Sequence, residues 1–141
     1  MLSSSVFAAG RFVIKNKETV TDTKTGLMWE QRPHEVGQGT ITWNQAVKYC
    51  KELALGGHDD WRLPSLKELE SLYDKSLNPP RLNEDEAPFD DIETFWFWSS
   101  TIYAKNNTDN YPWVVYPTIG FKLCNYDKTF AGNVLAVRDA R

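Results

Sequence analysis

Few residues in this chain carry reactive side chains. There are two cysteines, Cys50 and Cys124, and two histidines, His34 and His58. Neither cysteine sits in a C-x-x-C pair and the histidines have no H-x-x-x-H spacing, so a zinc site has no spacing signature and is discarded. Trp98-Ser99-Ser100-Thr101 offers hydroxyls, but a serine nucleophile needs a base, and no histidine stands in a suitable context. Glu30 and His34 are read as lying in one loop, with nothing to fix an acid against a base. Asp60-Trp61-Arg62-Leu63-Pro64 combines acid, aromatic and base, yet packing explains it better. Trp61 and Leu63 alternate inward, Asp60 and Arg62 tie the loop to neighbouring backbone, and Pro64 starts a helix. The acidic run Glu84 to Glu93 has oxygen ligands suited to calcium but lacks the D-x-D-x-D-G order, so a solvated face is the simpler reading. No cofactor is expected, and calcium is the one metal candidate.

The segment Tyr103 to Trp113 suits binding better than catalysis. Tyr103 and Tyr111 are interleaved with Asn106, Asn107, Asp109 and Asn110. Aromatic faces stack on sugar rings or anchor a protein, and short amides supply directional hydrogen bonds. These six residues are the candidate ligand-binding set. An ordinary hairpin loop is the competing reading, and Trp113 is assigned to the core beneath it.

Positioning those residues falls to a short list of elements. Phe12-Val13-Ile14, Thr19-Val20-Thr21 and Leu27-Met28-Trp29 read as strands, with Asp22 to Gly26 as a turn. Thr42-x-x-Gln45 is a capping box, followed by Trp43, Ala46, Val47, Cys50 and Leu53 on one helical stripe, and Gly56-Gly57 is expected to stop that helix. Ser65-x-x-Glu68 caps a second helix with Leu66, Leu69, Leu72 and Tyr73 inward, ending before Asn78-Pro79-Pro80. The remainder reads as β: 95–102, 113–116, 120–123 and 134–138. A hairpin, two helices and a run of strands argue α+β.

Composition sets outer limits. The 141 residues make one domain, 11–141. Residues 1–10 read either as a frayed start or as the remnant of a signal peptide. The net charge is −3, which disfavours general nucleic-acid binding. No apolar run approaches the ~20 residues of a membrane span.

Taken together, several segments resemble one family. They are Thr25-Gly26-Leu27-Met28-Trp29, Trp43-x-x-Ala46, Leu53 to His58, Asp60-Trp61-Arg62-Leu63-Pro64-Ser65, Phe97-Trp98-Ser99-Ser100-Thr101 and Ala136-Val137-Arg138. The chain resembles the bacterial Lcl C-terminal domain family from about Gly10 to Arg141. That resemblance implies a C-type-lectin-like fold, two helices on a small, mostly antiparallel sheet with long loops. It further implies a secreted or periplasmic recognition module for a glycan or protein ligand, adhesin-like and, by likeness to a trimeric member, an oligomer. Family members often carry a cysteine in a V-R-C-V-R run that suits pairing with the helix cysteine. Here the run is Val137-Arg138-Asp139-Ala140-Arg141, so that partner is absent, and Cys50 and Cys124 are expected not to pair with each other. The alternatives are an enzyme related to the formylglycine-generating oxidases, and a structural or assembly domain without a small ligand.

Overall fold

The computed structural model describes residues 6–33, 40–83, 88–89, 96–104, 110–124 and 127–140. Four strands lead the chain: β1 (Val6–Ala9), β2 (Phe12–Lys15), β3 (Thr19–Asp22) and β4 (Leu27–Glu30). Each pairs antiparallel with its neighbour. The start read as frayed or leader-derived therefore contributes an edge strand over Val6–Ala9. Its two-residue turn opens with Gly10 at φ 60°, the left-handed value that a primed hairpin turn needs. Beneath the first three strands, Asp22 accepts from Arg11, Thr25 Oγ1 and the Lys24 amide, and Arg11 also donates to the Ser71 carbonyl. This buried carboxylate pins the meander to the second helix.

Both helices begin as their sequences dictate. α1 (Trp43–Glu52) is capped by Thr42, whose hydroxyl accepts from the Gln45 amide while the Gln45 side chain accepts from Thr42. α2 (Leu66–Glu70) repeats the device with Ser65 and Glu68. Their ends depart from expectation. α1 closes at Leu53 in extended backbone, and Gly56-Gly57 instead form a tight turn between Leu55 and His58, with φ 63° and 82°. Two consecutive left-handed residues favour a hairpin-type turn over a helix cap. α2 stops at Glu70, and Leu72 and Tyr73 reach the core from the turns beyond it. Ser71 ends the helix by turning its hydroxyl back onto the Glu68 carbonyl.

Four more strands complete the fold: β5 (Phe97–Ala104), β6 (Asn110–Tyr116), β7 (Phe121–Leu123) and β8 (Val137–Asp139). They do not join one small sheet. A five-stranded sheet runs β1-β2-β3-β4-β8 and a separate three-stranded sheet runs β5-β6-β7. The architecture is α+β with two antiparallel sheets. The three-stranded sheet is a wall between two cores. Phe97 and Val115 face a core with Leu69, Leu72, Val20 and Trp29. The adjacent residues Trp98 and Val114 face the other core with Ala46, Cys50, Trp61 and Leu63. Period-two alternation in β5 and β6 is what lets one hairpin serve both.

Candidate ligand-binding face

The face of β6 that carries Val115 also carries Trp113 and Tyr111, two and four residues earlier. Across the hairpin, Tyr103 pairs with Tyr111 and Phe97 with Val115. An irregularity lies between Trp98 and Ile102, where four positions of β5 pass two of β6. The surplus is even, so Tyr103 stays on the face of Phe97. That face thus changes character along its length. Its lower end, Phe97 and Val115, is core; its upper end is open, with Tyr103 43% exposed and Tyr111 and Trp113 half-buried.

Ring geometry confirms the grouping. Tyr103 and Trp113 meet edge to face, with centroids 6.1 Å apart at 78°. From β7, Lys122 places its ammonium 5.7 Å from the Trp113 ring centroid. The same ammonium lies 3.3 and 3.4 Å from the Glu70 carboxylate oxygens at the end of α2. Trp113 therefore belongs to this strip and not to the core assigned to it from sequence. Its own carbonyl is held by the buried Ser99 hydroxyl at 2.7 Å. Of the other candidate residues, Asn110 opens β6, while Asn106, Asn107 and Asp109 lie outside the described residues. Lys122 and Glu70 were missed from sequence, because strand pairing and helix docking bring them to the rings from positions over 50 residues apart.

The remaining candidates are committed to the fold. Ser99 is buried, and Thr101 Oγ1 accepts the first helical amide of α2, from Leu66, at 2.9 Å. Trp61 and Leu63 are buried as expected. Asp60 and Arg62 bind charged side chains, not backbone: Arg138 donates to Asp60, and Arg62 donates to Glu68 at 2.6 and 2.8 Å and to Asp139 at 3.2 Å. Glu68 comes from the first turn of α2, and β8, which lies alongside this loop through the Arg62–Val137 bridge, brings Arg138 and Asp139. Most of the acidic run expected to form a solvated face or hold calcium (84–87 and 90–93) lies outside the described residues, as does His34. Among the described residues no group of three His, Cys, Asp or Glu side chains is placed to hold a metal ion. No described helix is long and apolar enough to cross a membrane. A shallow hollow of about 480 Å³ lies between Glu18 and the 54–59 turn.

Glu30 stands apart. It ends β4, not a loop, and is 2% exposed. Its carboxylate accepts from the Ala136 amide and from the Tyr49 hydroxyl, each at 2.7 Å. Burial pushes its pKa up to about 7, against the lowering effect of those two donors. Burial, and then the nearness of Glu30, also push the Cys50 thiol up, so it is an inert core group. Cys50 and Cys124 are both free thiols.

The chain is thus an α+β module that packs one hairpin between two cores and leaves aromatic rings partly open at its far end. Residues 18–138 match the Lcl C-terminal domain, and the chain belongs to that family. No curated protein and no solved structure gives a match.

Proposed function

We propose that this domain is a non-catalytic recognition module that holds a glycan or protein ligand against Tyr103, Tyr111 and Trp113. The observation that carries the reading is the single sheet face that is core at Phe97 and Val115 and open aromatic surface at Tyr103. Three rings grouped on one face, with Tyr103 43% exposed and edge to face with Trp113, form a partly open aromatic strip suited to a ligand. The clamped hairpin presents them with little ordering left to lose, which favours affinity. Ser99, Thr101 and Cys50 are spent on a backbone bond, a helix-start amide and core packing, and no described histidine stands against a serine or cysteine as its base, which favours binding over turnover. A C-type-lectin-like arrangement, an oligomer and a place at the bacterial surface or in the periplasm all fit this role.

The test is capture on a glycan array that includes glycosaminoglycans, with and without calcium, alongside capture of surface proteins. A Tyr103→Ala/Tyr111→Ala variant should lose capture while its circular dichroism stays unchanged. Capture that survives in a folded double variant places the site elsewhere and overturns the reading.

A further inference from the structure

We infer that the ligand of this face is an uncharged glycan, bound by its pyranose rings, and not a polyanion. The inference rests on the recognition reading above and adds the ligand's chemistry.

Charge decides the first comparison. The cation set against these rings is Lys122, and Glu70 lies 3.3–3.4 Å from it. Among the described residues the charges that meet these rings are therefore one of each sign. Polyanion binding draws its free energy from several cations that displace counterions, and one compensated lysine on a chain of net charge −3 supplies little of that.

Area decides the second. A stable protein interface buries roughly 800 Å² on each partner. An aromatic side chain buries at most about 150–250 Å². Tyr103 is 43% exposed and Tyr111 and Trp113 are half-buried. Their remaining open surface is a fraction of such a footprint and is of the size of one or two sugar rings.

Chemistry supplies the positive argument. The electron-rich face of a tyrosine or tryptophan favours the weakly positive C–H face of a pyranose. Tyr103 and Trp113 stand at 78°, so they form a corner and not a flat platform. A corner suits a chain end or a bent chain, not a flat stacked polysaccharide. Beside the corner, the Lys122 ammonium donates and the Glu70 carboxylate accepts. A sugar hydroxyl does both, so neighbouring hydroxyls can bridge the two ions. The ion pair is long and partly exposed, with side chains 47% and 32% open, so it can part to admit them.

The experiment titrates the full chain with a panel of neutral hexose oligosaccharides and with heparin, at about 50 and about 500 mM salt. A neutral oligosaccharide should bind with affinity unchanged within about twofold between the two salts, since no counterions are released. Tyr103→Ala should weaken it by about tenfold or more, the scale of one stacked ring. Lys122→Met should weaken it several-fold without creating salt dependence. Heparin binding that collapses with salt and with Lys122→Met overturns the inference while leaving the face a binding site. Failure of every neutral oligosaccharide also overturns it, and capture of some other partner that still depends on Tyr103 then preserves the recognition reading alone.

Discussion

Replacing Glu30 with Gln should stabilise the domain above neutral pH and leave it nearly unchanged in mild acid. The carboxyl is 2% exposed and its two donors, Ala136 N–H and Tyr49 O–H, carry no charge. Its ordinary pKa of 4.5 rises to about 7 in the folded chain. Below pH 4.5 both folded and unfolded chains hold the proton, so the group contributes no pH dependence there. Between 4.5 and 7 the unfolded chain gives its proton up while the folded chain keeps it, and stability falls as pH rises. Above about 7 both are ionised and the loss is complete. At 1.36 kcal/mol per pH unit, the interval from 4.5 to about 7 corresponds to about 3 kcal/mol. Gln keeps the geometry, because its carbonyl can accept from Ala136 and its amide can donate to the Tyr49 oxygen. The assay is urea unfolding followed by tryptophan fluorescence from about pH 4 to 8. The carboxyls of Asp22 and Glu68 lie below their ordinary range, held there by bonds from Arg11 and Arg62 against the opposing effect of burial, and they cost stability as pH falls. They act equally in both proteins, so the difference between wild type and Glu30→Gln isolates Glu30. That difference should grow from near zero to about 3 kcal/mol with rising pH. Parallel curves would refute the argument.

Three further outcomes are expected. Trp61→Ala should cost about 3–5 kcal/mol, since the ring is buried and its Nε1 donates to the Leu55 and His58 carbonyls; a thermal midpoint within about a degree of wild type would contradict this. Asp22→Ala strands Arg11 and leaves the Thr25 hydroxyl and the Lys24 amide without their acceptor, at about 3 kcal/mol by chemical denaturation, and a loss below about 1 kcal/mol would show the pair to be dispensable. Thiol titration should count two reactive thiols in the denatured, non-reduced chain, with half-exposed Cys124 labelled first in the native one; a native Cys50 that reacts as fast would mean the helix stripe is open.

What could be read in the sequence was local. Thr42 with Gln45 and Ser65 with Glu68 lie within one helical turn, so their side chains meet wherever the helix goes. The alternation that buries Trp61 and Leu63 is likewise local. Pairing across long separations was not legible. Nothing near Val137 announces that it lies between Trp29 and Arg62, so Arg138 and Asp139 were unforeseen as partners of Asp60 and Arg62. The division into two sheets escaped for the same reason. Glu30 resists sequence reading because a carboxylate beside a strand end normally faces water, and its burial comes from α1 and the Ala136 segment closing over it. Of the binding strip, Tyr103 and Tyr111 were found from their own neighbourhood. Trp113 was misassigned because a strand that enters the core at Val114 and Val115 looks apolar throughout.

The hairpin shared by two cores has a mechanical meaning. Phe97 and Val115 are gripped from one side, Trp98 and Val114 from the other, and the tyrosines extend past the grip like the free end of a cantilever. A tether pulling on that end loads β5 and β6 along their length. Load in that direction moves the two strands as one unit and falls on what joins the hairpin to the rest of the chain, the two cores and the bonds from Trp98 N–H to Asn133 and from Ser100 N–H to Pro64. Drag on the proposed ligand would thus pass along the strands into both cores at once.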